Sequence, residues 1–253
     1  MPAAVAAVAG AQPLRAVWRN QLGGLTWQLG DGPARRFAKW APAGSGLVLA
    51  LEVERLRWAA PFTPVPVVLA HDRDDDGEWL VTAGLPGRSA VDERWLAEPG
   101  PAVRAVGAGL RALHDALPVD GCPFDWSAEA RVAEAQRCAA RRPPGGWSPE
   151  FTGLTPVELK ARLADVPDVD RLVVCHGDAC APNTLLDDDG VWSGHVDLGS
   201  LGTADRWADL AIAAWSTSWN YGPGWEQQLL DAYGVDADPA RMAYYRLLWE
   251  AGP

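Results

Sequence analysis

The chain has 253 residues, of which 48% are hydrophobic, and it carries a formal net charge of −11. This length and apolar content support one large domain or two lobes with a buried core, and they exclude a disordered chain. No run of about 18 apolar residues occurs, which argues against a transmembrane helix. The acidic balance argues against nucleic acid as a partner and is compatible with a cationic ligand, although on composition alone ordinary solubility is the better explanation.

The N-terminal segment and the cysteines indicate the compartment. Residues 1–10 are apolar and lack the basic region that opens a signal peptide, because Arg15 and Arg19 follow too late. We therefore predict a loosely packed leader, not a secretory signal, and a cytoplasmic protein. The four cysteines are too few for a disulfide framework and match no common zinc spacing, so reduced thiols are expected.

Residues 15–82 are predicted to form short strands and one helix. The strand-like segments are bounded by glycine, proline and aspartate, with a hairpin turn at residues 30–32 and an acidic turn at residues 72–77. Between these turns, apolar residues recur on one helical face. We predict strands at residues 25–29, 36–40, 65–70 and 79–83, and a helix at residues 47–58.

The remainder of the chain is predicted to be mainly helical. Helical patterns cover residues 101–116, 128–140, 156–163, 205–218 and 239–250, with a break at residues 141–146 and a short buried strand at residues 172–174. A β-rich first third and a helical remainder indicate an α+β fold of two lobes. We place the N-terminal lobe at residues 1–82, the C-terminal lobe at residues 83–253 and the hinge at about residues 82–87.

The most informative segment follows the buried strand at residues 172–174. It runs from His176 through Asp178 to Asn183, and Asp197 then opens an Asp-Leu-Gly sequence after another apolar strand. Phosphoryl transfer from ATP requires a carboxylate that orients the attacking hydroxyl and accepts its proton, and oxygen ligands for Mg²⁺. Asp178 suits the first role, whereas Asn183 and Asp197 suit the second. Each residue alone has an ordinary structural explanation, but their order and spacing match the catalytic loop and metal-binding motif of kinases.

A kinase also needs a lysine at the nucleotide phosphates and a helical glutamate that holds it. Lys39, one of two lysines in the chain, lies in a predicted strand, and Glu52 lies in the helix that follows, with Glu54 as the alternative. Gly23 and Gly24 separate the first two strands, where the backbone can close over phosphates. Glycine pairs of this kind also occur in ordinary hairpins.

These residues resemble the aminoglycoside phosphotransferases, particularly the 3'- and 3''-phosphotransferases of antibiotic resistance. The resemblance is carried by residues 173–178 with Asn183 and by residues 196–211. It extends to residues 37–39, 81–82, 86–87, 113–114 and 122–124, and it covers roughly residues 20–250. It implies a protein-kinase-like bilobal fold with an ATP cleft between the lobes, and ATP and Mg²⁺ as cofactors.

The resemblance also implies a role for each matching residue. It implies that Asp178 is the catalytic base and that Asn183 and Asp197 are the magnesium ligands. It also implies that Lys39 and Glu52 act at the nucleotide phosphates. It further implies that Thr82 and Gly84 offer backbone atoms to adenine. Asp205 and Asp209 are expected to be structural residues that tie the loop after the Asp-Leu-Gly sequence to the core of the C-terminal lobe.

The resemblance is less complete where the acceptor binds. In the family, the aminoglycoside lies in an acidic cleft that includes the C-terminal residues. Glu250 matches one of these acidic residues and Glu150 is a weaker candidate, whereas Trp249 replaces an aspartate. Ser200 stands where many relatives have arginine, and Leu22 stands where the nucleotide loop often has serine. The departures at Trp249 and Ser200 bear on the identity of the acceptor and on the hydroxyl that is modified, whereas the departure at Leu22 bears on how the phosphates are held.

The sequence thus predicts an ATP-dependent enzyme that phosphorylates the 3' or 3'' hydroxyl of an aminoglycoside and confers resistance. We expect a monomer or homodimer without membrane or nucleic-acid partners. One alternative is a kinase of the same fold that acts on another hydroxylated metabolite, such as a sugar, choline or homoserine. The other is a non-catalytic protein that sequesters nucleotide or drug, against which the complete set of kinase residues argues.

Overall fold

The computed structural model describes residues 2–138 and 148–252, with only the backbone described at residue 138. The chain divides into two compact units, the first comprising Met1–Gly87 with Ser193–Ser200 and the second comprising Arg88–Trp192 with Leu201–Pro253. The short segment from Ser193 belongs to the first unit although it follows much of the second in the chain. Within the first unit, the Ser193 hydroxyl donates to the Pro86 carbonyl at 2.9 Å and the His195 amide donates to the Pro64 carbonyl at 3.2 Å.

The first unit is built on a five-stranded antiparallel sheet. Its strands are β1 (Leu14–Arg19), β2 (Leu25–Leu29), β3 (Arg36–Pro42), β4 (Val68–Arg73) and β5 (Gly77–Ala83), in the order β1-β2-β3-β5-β4. The strands predicted at residues 25–29, 36–40 and 79–83 are confirmed. The strand predicted from residue 65 begins later, because Pro66 has no amide hydrogen to donate to a neighbouring strand.

The N-terminal segment forms a helix, α1 (Ala3–Ala9), so the prediction of a loosely packed leader is wrong. Val5 and Ala9 are buried in a hydrophobic cluster with residues of the sheet that include Trp27 and Val81. Alanine favours helix formation, and the four-residue spacing of Val5 and Ala9 places both on one side of the helix. The sheet therefore buries an apolar helical face that the chain supplies at its start.

The second helix of the first unit, α2 (Leu49–Ala59), confirms the helix predicted at residues 47–58, although it begins two residues later and ends one residue later. It packs against β3, β4 and β5. Val53, Leu56 and Ala59 are buried, and their spacing forms one apolar face. Glu52, one residue before Val53, is also buried, which is unusual for a carboxylate and requires a partner.

The second unit is mainly helical, and its main helices agree with those predicted. They are α3 (Glu93–Ala97), α4 (Pro99–Ala116), α5 (Ala128–Cys138), α6 (Pro156–Ala164), α7 (Trp207–Tyr221), α8 (Glu226–Tyr233) and α9 (Pro239–Ala251). The predicted break at residues 141–146 lies outside the described residues. α3 and α8 were not predicted, because they are too short for a clear helical period. α4 packs closely on α8, since a Cβ atom at Gly107 would strike the Leu229 carbonyl.

Short strands complete the second unit. They are β6 (Arg88–Ser89), β7 (Leu172–Cys175), β8 (Thr184–Leu186), β9 (Trp192–His195) and β10 (Gly202–Asp205), and the chain passes from the second unit to the first within β9. β6 pairs antiparallel with β8, and β7 pairs antiparallel with β10. The predicted strand at residues 172–174 is confirmed as β7. Among the described helices, none is long and apolar enough to span a membrane.

Candidate active site

In the first unit, the structure brings together three residues that the sequence predicted separately. Lys39 lies on β3, and its Nζ atom is 2.7 Å and 2.8 Å from the two carboxylate oxygens of Glu52 on α2. The same Nζ atom also donates to Oδ1 of Asp197. The lysine therefore joins a strand, a helix and the segment from Ser193 to Ser200, although its partners are 13 and 158 residues away in the chain.

The two carboxylates set the charge of Lys39. Burial alone would lower the pKa of this lysine, but the negative charges of Asp197 and Glu52 and their hydrogen bonds outweigh that effect and raise the pKa. The side chain of Lys39 is 22% exposed. Its ammonium group is therefore held in place and charged by two carboxylates while part of the side chain stays exposed, which suits contact with an anion.

Asp197 has an uncommon backbone conformation. Its φ angle is 63°, and it is the one non-glycine residue with positive φ among the residues that the structure describes. This conformation costs an aspartate of order 1–3 kcal/mol and persists where surrounding contacts compensate for it. Here the carboxylate contacts Lys39 while the side chain remains 43% exposed. The segment thus presents a charged oxygen donor at the surface of the first unit.

The loop between β1 and β2 contains the predicted glycine pair. The Oδ1 atom of Asn20 accepts the amides of Leu22 at 3.0 Å and Gly24 at 2.7 Å. Gly23 has a φ angle of 86°, which favours glycine, and a Cβ atom at Gly24 would lie 2.7 Å from the side chain of Leu47. The turn therefore favours glycine at position 23 through its backbone conformation, and a side chain at position 24 would displace those of Asn20 and Leu47. Asn20 was not predicted, although an asparagine before a glycine pair is a turn signal.

In the predicted hinge at residues 82–87, some backbone groups are already hydrogen-bonded within the chain. Thr82 lies on β5 opposite Phe37 of β3. The amide of Gly84 donates to the carbonyl of Arg35 at 2.9 Å, and the Arg35 guanidinium donates to the Gly87 carbonyl at 2.9 Å and to that of Leu85. The structure therefore holds this segment through Arg35, and the Gly84 amide has a partner within the chain.

In the second unit, the structure brings Asp178 and Asn183 together. The Asn183 side-chain amide nitrogen donates to the Asp178 carbonyl at 2.8 Å and to its Oδ2 atom at 3.1 Å. The Asp178 amide donates to Nδ1 of His176 at 3.2 Å. Because its nitrogen faces Asp178, the Asn183 side chain has its oxygen atom on the other side, where it is the atom suited to a metal ion.

A buried carboxylate on α7 accepts hydrogen bonds from the backbone of the loop that carries Asp178. Asp209 accepts the amides of His176 at 2.6 Å and Gly177 at 2.9 Å. His114 on α4 contacts the same carboxylate through Nε2 at 3.0 Å. Gly177 has a φ angle of 84°, a conformation that favours glycine. These contacts explain why the kinase-like motif has a glycine directly before Asp178 and a carboxylate far downstream.

The structure corrects the expected contacts of the two downstream aspartates. Asp209 was expected to hold the loop after Asp197, but its hydrogen bonds go to the loop before Asp178. Asp205 accepts the amides of Asp170 at 2.7 Å and Trp207 at 2.9 Å, so it fixes the start of α7. The sequence indicated that both residues are structural without indicating their distant partners, because Asp170 lies 35 residues from Asp205 and the His176 amide lies 33 residues from Asp209.

The same loop is held at its far end by α7. The hydroxyl of Ser216 accepts the amide of Ala181 at 2.9 Å, and the hydroxyl of Ser89 donates to the Pro182 carbonyl at 2.8 Å. Cys180 lies directly before Ala181. Burial raises the pKa of its thiol, and the neighbouring charge of Asp178 raises the pKa further. The thiol is therefore neutral and is not a nucleophile.

Among the cysteines whose side chains the structure describes, Cys122, Cys175 and Cys180 are not in disulfide bonds. The side chains of Cys175, His114 and Asp209 place possible metal-ligand atoms within 4.8 Å of one another. However, Asp209 is bonded to the loop amides, and His114 bridges it to the Tyr233 hydroxyl at 2.9 Å. Cys175 donates to the Asp205 carbonyl at 3.4 Å. Every member already has a polar partner, so these residues form a structural hydrogen-bond network.

The predicted substrate carboxylates differ in their environments. Glu250 on α9 is buried, and its carboxylate accepts the amide and the hydroxyl of Ser148, each at 2.9 Å. Glu150 is exposed in a single turn at Pro149–Phe151. Glu250 therefore fixes the segment that precedes Glu150, while Glu150 has the accessible carboxylate.

An aromatic cluster lies beside these residues. The ring centroids of Trp215 and Trp219 on α7 are 4.8 Å apart, and Trp249 on α9 lies 5.5 Å from Trp219 and 6.2 Å from Trp215. Phe151 contacts Trp215 edge to face at 6.0 Å. Trp219 is 47% exposed. The tryptophan that replaces an acidic residue of the resembled family is therefore part of a partly exposed aromatic surface next to Ser216, which anchors the Asp178 loop.

Comparison with known proteins extends these observations to nearly the whole chain. The model of the APH phosphotransferase enzyme family matches residues 18–245. An aminoglycoside 3'-phosphotransferase of Streptomyces fradiae is 37% identical over 253 residues, covering 93% of this chain and 93% of the relative. A streptomycin 3''-kinase of Streptomyces griseus is 34% identical, covering 91% of this chain and 89% of the relative.

A solved structure has the same fold. The aminoglycoside phosphotransferase of Streptomyces rimosus, in complex with ADP and streptomycin, is 29% identical and has a TM-score of 0.77, covering 98% of this chain and 95% of that chain. The predicted α+β, protein-kinase-like fold class and the resemblance stated from the motifs are both confirmed. The protein therefore belongs to the aminoglycoside phosphotransferase (APH) family of phosphotransferase enzymes.

Proposed function

We propose that this protein transfers the γ-phosphoryl group of ATP to the 3' or 3'' hydroxyl of an aminoglycoside and so confers resistance. The observation that carries the proposal is the Asp178–Asn183 pair on a loop anchored by Asp209, in a chain related to named aminoglycoside 3'- and 3''-phosphotransferases. We place the reaction in the cytoplasm, where ATP and reducing conditions are available.

In the first unit, we assign Lys39 to the nucleotide phosphates. Its ammonium group is charged and is held by Glu52, so it is ready to bind an anion without further reorganisation. Gly23 and Gly24 allow the loop between β1 and β2 to approach the phosphates. Adenine pairs with the backbone around Thr82 and Gly84, through groups other than the Gly84 amide, which Arg35 already accepts.

We assign Mg²⁺ to Asn183 and Asp197. The residues fit this ion, because each offers a hard oxygen donor and magnesium retains several waters when few protein ligands are present. The contact of the Asn183 nitrogen with Asp178 leaves its oxygen as the ligand atom, and the Asp197 side chain is half exposed. When bound, the ion neutralises charge that develops on the nucleotide phosphates.

Asp178 acts as the catalytic base. It orients the acceptor hydroxyl and takes its proton as the hydroxyl oxygen bonds to the γ-phosphorus and the bond from that phosphorus to the ADP oxygen breaks. The loop anchors at Asp209 and Ser216 hold the carboxylate before the acceptor arrives. Because the transition state is loose, catalysis depends mainly on positioning and on charge neutralisation.

For the acceptor, we assign the surface around Glu150, Glu250 and Trp249. An aminoglycoside is a polycation, so carboxylates attract its ammonium groups, and an aromatic ring binds an ammonium group or the apolar face of a sugar. Glu250 acts through the segment at Ser148, which it fixes. Trp249 in place of an acidic residue therefore removes a negative charge from the acceptor surface, while its ring still binds cations.

A coupled assay of ADP release tests the proposal with a panel of acceptors. The panel contains kanamycin, neomycin and streptomycin together with choline, homoserine and simple sugars, and Asp178→Asn is the matched inactive variant. We expect turnover with at least one aminoglycoside, and a loss of about 10³-fold or more in kcat with little change in ATP affinity in the variant. Turnover with a metabolite alone identifies a different kinase, and drug binding without ADP release identifies a sequestering protein.

A further inference from the structure

The carboxylate of Glu78 is buried at the start of helix α2. Glu78 is 5% exposed, its Oε2 atom accepts the Leu49 amide at 3.0 Å, and its Oε1 atom accepts the Ala50 amide at 2.7 Å. The first amides of a helix have no partner within the helix, and Val48 at the N-cap has no side-chain oxygen to supply one. A strand residue therefore caps this helix from outside it.

The position of Glu78 in the sheet connects this cap with Lys39. On the paired strands β3 and β5, Lys39 lies opposite Leu80 and Ala41 lies opposite Glu78. Residues directly opposite each other, and residues two apart on one strand, share a face of the sheet. Lys39 and Glu78 thus point to the face on which α2 packs. The sheet holds both the lysine and the helix that brings Glu52 to it.

The electrostatics favour the same arrangement. A carboxylate at a helix N-terminus is stabilised by the helix dipole. His71 of β4 donates to Oε1 of Glu78 through Nε2 at 2.7 Å, and the Arg73 guanidinium lies 3.8 Å from Oε2. Burial alone would raise the pKa of Glu78, but the hydrogen bonds from His71 and from the two helix amides outweigh it and lower the pKa. The carboxylate stays ionised while it holds the helix.

We propose that Glu78 is a positioning residue, which fixes the first turn of α2 so that Glu52 meets Lys39 in the geometry that binds ATP. Glu52 follows Ala50 by two residues, so a shift of the first turn moves its carboxylate directly. Lys39 and Glu52 are 2.7 Å apart, and a displacement of 1 Å would break this contact. The inference rests on the proposed function, because it assigns Glu78 to the nucleotide site of that enzyme.

The helix α6 offers a matched control. Its N-cap residue Thr155 accepts the Glu158 amide, and Glu158 bonds back to Thr155 in a capping box. Removing this cap by Thr155→Ala costs stability in the same way as removing the Glu78 cap. However, α6 carries none of the residues assigned to the nucleotide. A purely structural role for Glu78 predicts that both variants lower the melting temperature and that neither changes nucleotide binding.

The experiment measures the Kd of Mg-ATP by calorimetry, which needs no turnover, together with KM and kcat. For Glu78→Ala we expect a Kd and KM for ATP raised about tenfold or more, with a smaller change in the KM of the acceptor. Thr155→Ala keeps wild-type values. Unchanged ATP affinity in a folded Glu78→Ala protein would overturn the proposal. If Glu78→Ala does not fold, Glu78→Gln is tested in its place. It keeps one acceptor oxygen, so we expect its Kd for ATP to lie between the wild-type value and the tenfold increase predicted for Glu78→Ala.

A double-mutant cycle with Glu52→Gln distinguishes action through Glu52 from a separate effect. If Glu78 acts by placing Glu52, adding Glu78→Ala to Glu52→Gln changes the Kd of ATP by less than about twofold. If the double variant instead raises the Kd of ATP by the product of the two single effects, the proposal is contradicted. Wild-type protein that binds ATP without transferring phosphate would refute the proposed function and leave the Kd test of Glu78 intact. Wild-type protein that does not bind ATP would refute both.

Discussion

At the scale of single residues, Lys39 lies between two carboxylates and is charged. Replacing it by methionine keeps much of its volume and removes the ammonium group that Glu52 and Asp197 hold. Because the two carboxylates then lose the ammonium group that both of them contact, we expect nucleotide phosphates to be repelled as well as unbound. The predicted result for Lys39→Met is a fall of about 10²-fold or more in kcat/KM for ATP, measured by steady-state kinetics.

The other lysine of the chain provides the control for this prediction. Lys160 is exposed on α6, and Lys160→Met should leave kcat/KM for ATP within about twofold of the wild-type value. Equal kinetics for both variants would show that Lys39 does not contact the nucleotide.

Among the residues of the site, those in a fixed local motif were predictable and those that act over long range were not. Asp178 and Asn183 are five residues apart, so their proximity followed from the sequence. The left-handed conformation of Asp197 did not, because it depends on a contact with Lys39 that is 158 residues distant. Glu78 was missed since a glutamate directly after the acidic turn at residues 72–77 has the pattern of an ordinary exposed residue.

At the scale of secondary-structure elements, the docking of α1 on the sheet is open to a direct test. Val5→Asp places a charge in the cluster that contains Trp27 and Val81, where no cation compensates it among the cluster residues. We expect the free energy of unfolding to fall by about 3 kcal/mol, measured by urea titration. Ala7→Asp changes the exposed side of the same helix and should cost less than about 1 kcal/mol. Equal losses would show that α1 does not pack as described.

The anchoring of the Asp178 loop by α7 predicts a dependence of stability on pH. Burial alone would raise the pKa of Asp209, but hydrogen bonding and charge from His114, with the loop amides, outweigh it and lower the pKa below its ordinary value of 3.8. A lowered pKa in the folded state stabilises the protein at pH above the unfolded value. This stabilisation is lost as pH falls through the folded pKa.

The variant Asp209→Asn tests this dependence. It cannot ionise, so its free energy of unfolding should be lower than that of the wild type at neutral pH. The difference should shrink as the pH is lowered from about 4 to 2, as measured by urea unfolding across that range. The exposed Asp236→Asn serves as the control. A difference between Asp209→Asn and the wild type that stays constant with pH would contradict the ionised anchor.

Elements with a strong period were predictable, whereas elements defined by their neighbours were not. The long amphipathic helix α4 was predicted nearly to its ends, because Val103, Val106, Leu110 and Leu113 recur on one face. The short helix α8 is held by α4 and α7, and the strand β10 is defined by its pairing with β7. Neither has a period of its own that is long enough to identify it.

At the scale of the whole molecule, the net charge of −11 bears on binding of a cationic acceptor. A field of this sign raises the local concentration of a polycation, and salt screens it. We therefore expect the KM for an aminoglycoside to rise several-fold between about 50 and 500 mM monovalent salt, with a smaller change in kcat. A KM that is independent of salt would show that the overall charge plays no part in capture of the acceptor.

The division of the chain into two units does not follow the order of residues in the sequence throughout. A change from strands to helices near residue 83 indicated two lobes, and the chain passes from the first compact unit to the second between Gly87 and Arg88. The return of Ser193–Ser200 to the first unit follows from contacts with Lys39, Pro64 and Pro86, which no local pattern reveals. The segment that carries Asp197 therefore belongs with the lysine and not with the helices that surround it in the chain.

The central claim is that phosphate moves from ATP to an aminoglycoside hydroxyl. The most direct measurement incubates the protein with Mg-ATP and kanamycin, neomycin or streptomycin, then determines the product mass and locates the new phosphate by phosphorus and proton NMR. We predict a drug with one added phosphoryl group at the 3' or 3'' position, formed by the wild type and not by Asp178→Asn. Unmodified drug after ATP has been consumed, or equal product from the variant, would contradict the account.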